Sequence, residues 1–127
     1  MTGQLVADVM TSPVLTVSAT DPTSDVARAM AREDIKSVVV ITEDCSVEGI
    51  FTATDYMELG VAASHPESTT IGDCMTTSVV TVSPSDSVTA AADQMVDHDI
   101  SHLPVVGSDD QVTGIVSSTD LTVCLAP

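Results

Sequence analysis

Residues 6–56 of this chain recur as residues 71–121. Sliding the 127-residue sequence by 65 positions aligns the two stretches without a gap, and nineteen of the 51 aligned positions are identical. Among them are Asp8/Asp73, Met10/Met75, Thr16/Thr81, Val17/Val82, Met30/Met95, Ile35/Ile100, Gly49/Gly114 and Asp55/Asp120. A tandem duplication restricts the fold more than composition does. Each copy is expected to be the same supersecondary unit, and a unit of about 50 residues is marginal alone, whereas two copies can bury a shared face.

The order of elements can be read twice. Leu5–Met10 and Ile71–Met75 suit short lead-in helices. Val14-Leu15-Thr16-Val17 and Val79-Val80-Thr81-Val82 are β-branched runs that predict short strands. Asp21-Pro22 and Pro84-Ser85-Asp86 carry helix-start chemistry. Apolar residues at helical spacing follow: Val26, Ala27, Met30 and Ala31 in Ser24–Glu33, then Val88, Ala91, Ala92, Met95 and Val96 in Val88–Val96. Ser37–Thr42 and His102–Val106 read as buried strands. Polar loops at Glu43–Ser46 and Ser108–Gln111 turn each into a second strand, ending in Gly49 or Gly114, and a helix follows from Thr52 towards Ala63. The expected class is α+β, with the unit strand–helix–strand–strand–helix. Residues 1–63 form the first repeat, 64–70 a linker and 71–127 the second repeat.

Charge narrows the function. Nineteen acids, fourteen of them Asp, face three cations, for a formal net charge of −16. A chain disordered by charge would lack apolar residues, and this one is 43% hydrophobic. With one Phe, one Tyr and no Trp, its core must be aliphatic. Such an acid coat repels itself in dilute buffer. It is tolerated in molar salt, where the Debye length falls to about 3 Å; a halophilic cytoplasm is the expected setting. The same charge argues against nucleic acid, because no basic patch can neutralise phosphates. The absence of a long apolar run and of a signal-like N-terminus gives no expectation of a membrane span or export. Three cysteines, Cys45, Cys74 and Cys124, suit a reducing cytosol.

The motif Gly49-Ile50-Phe51-Thr52-Ala53-Thr54-Asp55 returns as Gly114-Ile115-Val116-Ser117-Ser118-Thr119-Asp120. It places hydroxyls and a carboxylate where a strand becomes a helix. A helix N-terminus offers unpaired N–H groups to phosphate, and an ionised Asp can accept both hydroxyls of a ribose. The same spacing also fits a capping box, in which the hydroxyl caps the helix and the acid reaches back. Arg28 and Arg32, four apart, fit a solvated helix face. Cys and His residues lack zinc-ligand spacing, and there is no nucleophile context, Walker loop or dinucleotide fingerprint. Catalysis is not expected, and no cofactor is required.

Together these residues resemble the cystathionine-β-synthase (CBS) domain, which occurs as tandem pairs called Bateman modules. The resemblance rests on Val6–Thr11 and Asp73–Thr76, the Val-x-Thr-Val-Ser runs, His102-Leu103-Pro104-Val105-Val106 and the two Gly-to-Asp motifs. It implies two β-α-β-β-α units packed sheet to sheet about a pseudo-twofold axis, in a small stand-alone pair. It implies regulatory clefts for AMP, ADP, ATP, S-adenosylmethionine or NAD, a homodimer and a regulated protein partner. The ligand-binding residues it implies are Thr16, Lys36, Thr52, Thr54 and Asp55 in the first repeat. In the second they are Thr81, His102, Ser117, Thr119 and Asp120, with Lys36 and His102 as phosphate contacts. Ser37 stands at the position of His102, Ser101 at that of Lys36 and Val39 at that of Pro104, so two unequal sites are expected. The competing reading is a structural dimerisation module with empty clefts.

Overall fold

The computed structural model describes residues 4–12, 14–61 and 68–125. Ala62, Ala63 and the linker residues 64–67, including His65, lie outside the described residues. In chain order the elements are α1 (Val6–Val9), β1 (Thr16–Val17), α2 (Thr23–Glu33), β2 (Ser37–Ile41), β3 (Val47–Thr52) and α3 (Ala53–Val61). Then come α4 (Ile71–Cys74), α5 (Val88–His98), β4 (His102–Val106), β5 (Val112–Ser117) and α6 (Ser118–Leu125). The class is α+β, as the duplication predicts.

The chain forms two compact units, and they cut across the repeats. One is Leu15–Val79; the other joins Met1–Val14 to Val80–Pro127. Each lead-in helix therefore packs in the unit that holds the other repeat's hairpin. In the Leu15–Val79 unit, Ile71 of α4 is fully buried beside Val26, Met30, Val38, Val40 and Phe51. In the other unit, Val6 of α1 is fully buried with Val88, Met95, Leu103, Val105 and Val116.

The strand–helix junctions explain why these segments fold as they do. Val38, Val39 and Val40 are all fully buried, as expected of an apolar β-branched run covered on both faces. Helix α2 stops at Asp34, which adopts the left-handed conformation (φ 55°), and α5 stops at Asp99 (φ 54°). Asp tolerates that conformation better than bulkier residues. Ile35 and Ile100 N–H groups then reach back 3.0 Å to Met30 and Met95 carbonyls, closing the last turn.

One predicted strand is replaced by something smaller. In the first repeat, Thr16 and Val17 pair in parallel with Val39 and Val40, giving the sheet β1-β2-β3. In the second, Val79–Val82 forms no strand; only an isolated bridge joins Val82 to Val105, and the sheet is β4-β5. The cause is Pro104. Val39 N–H donates to Leu15 O at 3.3 Å, while the equivalent Pro104 has no N–H to give. Pro104 O still accepts from Val82 N–H at 3.1 Å, and Val82 O accepts from Val106 N–H at 2.8 Å. The predicted hairpins also run past their glycines, as β3 ends at Thr52 and β5 at Ser117.

Candidate functional site

Each hairpin delivers its last residue to a helix start, and there the capping box is formed. Thr52 N–H donates to Asp55 Oδ2 at 2.9 Å, and Asp55 N–H donates to Thr52 Oγ1 at 3.1 Å. Ser117 and Asp120 repeat the pair at 2.9 and 3.1 Å. Ala53 N–H is taken by Lys36 O at 2.9 Å, and Ser118 N–H by Ser101 O at 2.8 Å. This corrects the expectation of unpaired N–H groups. At Thr52, Ala53 and Asp55, and at their equivalents, the backbone donors already have internal acceptors. Each box also offers a ligand side-chain chemistry: a hydroxyl on Thr52 or Ser117 and a half-buried Asp carboxylate.

The carboxylate hold is a repeated device. A backbone N–H three residues earlier donates to Oδ2 of Asp8, Asp21, Asp55, Asp73, Asp86 and Asp120, all at 2.9–3.1 Å. Part of the acid excess thus shapes the backbone rather than only coating the surface.

The remaining candidates are placed unequally. Thr54 and Thr119 are exposed in the first turns of α3 and α6. Thr16 is half-buried in β1 opposite Val39, whereas Thr81 is exposed. His102 lies directly across the ladder from Ser117, as Ser37 does from Thr52. His102, Ser117 and Asp120 therefore form one cluster. Burial pushes His102 below its ordinary value of 6.5, and the nearby Asp120 carboxylate partly opposes this. Cys74 has the reverse perturbation: burial first, then Asp55 and Asp73, hold its thiol above 9.0. Its sensitivity to Asp55 places α4 near the first box. Lys36 is exposed, just before β2.

Lys36 also borders a feature that residue patterns alone do not reveal. A cavity of about 230 Å³ opens between α2 and α3, lined by Ala27, Met30, Ala31, Ile35, Ala53, Tyr56 and Met57, with Asp34 and Lys36 beside them. The box residues Thr52, Thr54 and Asp55 are not part of its lining. The small residues Ala27 and Ala31 are its sequence signals. Among the described residues no group of three or more His, Cys, Asp and Glu could hold a metal ion.

The architecture is that of a duplicated α+β module with one hydroxyl–carboxylate site at the strand-to-helix junction of each copy. The chain belongs to the CBS domain family, whose model matches residues 6–61 and again 71–126. Its fold is similar to the solved CBS domain pair of protein MJ0100, in complex with 5′-methylthioadenosine and S-adenosyl-L-methionine. That match has a TM-score of 0.88 and 26% identity over 95% of this chain and 94% of the other. The sequence is 30% identical over 92% of its length to a homoserine O-acetyltransferase of Methanohalobium evestigatum. It is 32% identical over 95% of its length to the enzyme of that name from Methanococcoides burtonii. It spans about a quarter of those relatives, 23% and 24% of their lengths. Among the described residues no helix is long and apolar enough to cross a membrane.

Proposed function

We propose that this protein is a regulatory module that binds an adenosine-containing ligand and carries out no catalysis of its own. The observation that carries the reading is the retention, in both copies, of a hydroxyl and a half-buried carboxylate at the same junction. The likeness to a CBS pair that holds two adenosyl compounds supports it. Thr52, Thr54, Asp55 and Thr16 serve the first site, with Lys36 as its cation; Ser117, Thr119, Asp120, Thr81 and His102 serve the second. AMP, ADP, ATP, S-adenosylmethionine and NAD are the ligands to compare. Occupancy biases the arrangement of the module, and a protein partner reads the change. The module works as a homodimer in the cytoplasm, and its acid coat suits molar salt. A match to a quarter of an acetyltransferase lends this chain no acyl-transfer activity.

Thermal unfolding in molar KCl with each of those five ligands tests the reading. A bound ligand at 100 times its Kd adds about 2.7 kcal/mol. Asp55→Ala or Asp120→Ala removes the shift at its own site and costs about 0.5–1.5 kcal/mol of stability, the usual net value of one hydrogen bond. No shift with any ligand turns the conclusion to a structural dimerisation module. The same scans from low to molar KCl should show Tm rising, and a flat Tm removes the salt reading.

A further inference from the structure

The hollow between α2 and α3 combines an apolar interior with one acid and one base at its edge. Its volume, about 230 Å³, lies below the roughly 300–1,000 Å³ of pockets that hold drug-sized ligands, so it suits a molecule smaller than a nucleotide. Met30, Ile35 and Met57 supply apolar surface, and Tyr56 adds a ring with a hydroxyl. Asp34 and Lys36 also line it, two residues apart on the segment that joins α2 to β2. Among the described residues neither side chain has an ion-pair or hydrogen-bond partner, and the two do not pair with each other. The helices add poles of their own. Ala31 lies in the last turn of α2, whose carbonyl end favours a cation, and Ala53 opens α3, whose amide end favours an anion. The second repeat keeps Asp99 and Ile100 for Asp34 and Ile35, but it has Val96 for Ala31, Ser101 for Lys36 and Leu121 for Tyr56. The small residue, the cation and the phenol hydroxyl therefore go together, in the first repeat alone.

We propose that this hollow binds a free α-amino acid with an apolar side chain of about leucine size. The ligand's ammonium meets Asp34 at the carbonyl end of α2, and its carboxylate meets Lys36. The side chain lies among Met30, Ile35 and Met57. Both charges of an amino acid sit on one carbon, which matches an acid and a base two residues apart at one edge. A zwitterion also brings no net anion to a chain of net charge −16. This site does not rest on the adenosine reading, with which it shares only Lys36.

Methyl NMR of the full chain in molar KCl, titrated with L-leucine, tests this. The Met30, Ile35 and Met57 methyl resonances should shift saturably, while those of Met95 and Ile100 in the second repeat should stay still. Isocaproate, which lacks the ammonium, and isoamylamine, which lacks the carboxylate, should each bind about tenfold more weakly, as expected for losing a hydrogen bond to a charged group. Asp34→Asn keeps a side chain that tolerates the left-handed backbone at φ 55°. It should weaken leucine about tenfold and leave isocaproate unchanged. Ala31→Leu fills the hollow and should abolish the shifts. No saturable shift at these methyls with leucine, isoleucine, valine or methionine overturns the proposal. Equal binding of leucine, isocaproate and isoamylamine overturns it too, as does leucine binding that survives Ala31→Leu in a folded chain. Neither variant alters Thr52, Thr54 or Asp55, so thermal shifts with the adenosine ligands are read separately from this result.

Discussion

The Leu15–Val79 unit holds a three-stranded sheet and its sister a two-stranded one, although the sequence behind both was copied once. The difference is one backbone donor, present in Val39 and absent in Pro104. What has not diverged is equally informative. The box, the two left-handed helix ends and the glycine of each hairpin correspond residue for residue. Duplication has kept the devices that turn the chain while other positions have diverged, both buried ones, Pro104 against Val39, and exposed ones, Asp93 against Arg28 and Asp97 against Arg32.

The conserved half of that comparison is tested by the glycines, where the largest effects are expected. A Cβ on Gly49 would stand 2.8 Å from Thr76 O and 2.7 Å from Met75 Sδ; on Gly114 it would stand 2.8 Å from both Thr11 O and Met10 Sδ. A methionine sulfur can move aside. The carbonyls cannot, because Ile50 and Thr76 exchange bonds of 3.0 and 2.9 Å, as Ile115 and Thr11 do at 3.1 and 2.8 Å. The glycines are thus required by close backbone approach, whatever the box binds. Gly49→Ala and Gly114→Ala should each cost towards the upper end of the roughly 1–3 kcal/mol typical of overpacking, measured by denaturant unfolding in molar KCl. A large cost in one copy and none in the other would break the symmetry.

The diverged half is tested by exchanging the donor. Val39→Pro removes the bond to Leu15 O and with it the third strand, at about 0.5–1.5 kcal/mol for the hydrogen bond plus the lost valine packing. Pro104→Val restores a donor opposite Val80. Its stability change should be near zero, because the gain is offset by about 0.4–1 kcal/mol from freeing the unfolded chain. Hydrogen exchange reads the difference better: the amide introduced at position 104 should be protected. Fast exchange there would mean that something other than the proline keeps Val79–Val82 out of the sheet.

These cases show how far residues alone carry the fold. Helices α2 and α5, the buried strands and both hairpins follow from local periodicity, and the structure agrees to within a few residues. The run Val79–Val82 reads like Val14–Val17 and fails as a strand because pairing depends on a residue of the neighbouring strand. The exchange of lead-in helices was beyond reach for a related reason. A repeat period fixes what α1 and α4 are, not which hairpin Val6 or Ile71 will pack on. At the candidate site the capping box was legible from its spacing. The use of Ala53 N–H by Lys36 O was not, since it depends on where β2 begins relative to α3. The hollow between α2 and α3 needed packing to become visible, yet the reversal of charge at 28/93 and 32/97 lay open in the repeat alignment.

The smallest expected effect separates the two clusters by pH. Only the second carries a titratable group across from its box, His102 where the first has Ser37. Burial lowers His102 below 6.5, so the folded protein prefers the neutral imidazole. Above that value both folded and unfolded chains hold it neutral and stability is unaffected. As pH falls through 6.5 the unfolded chain takes up a proton that the folded one resists, so stability declines until the folded imidazole also protonates. His102→Ser should remove this component, seen as the difference between the two unfolding curves from pH 7.5 to 5.5. Asp120→Asn, whose amide oxygen can still accept from Ser117 N–H, should enlarge it, because the carboxylate that favours the imidazolium is gone. Identical pH profiles for wild type and His102→Ser would mean that the imidazole is as well solvated folded as unfolded. The cluster of His102, Ser117 and Asp120 would then differ from its sister in composition but not in electrostatics.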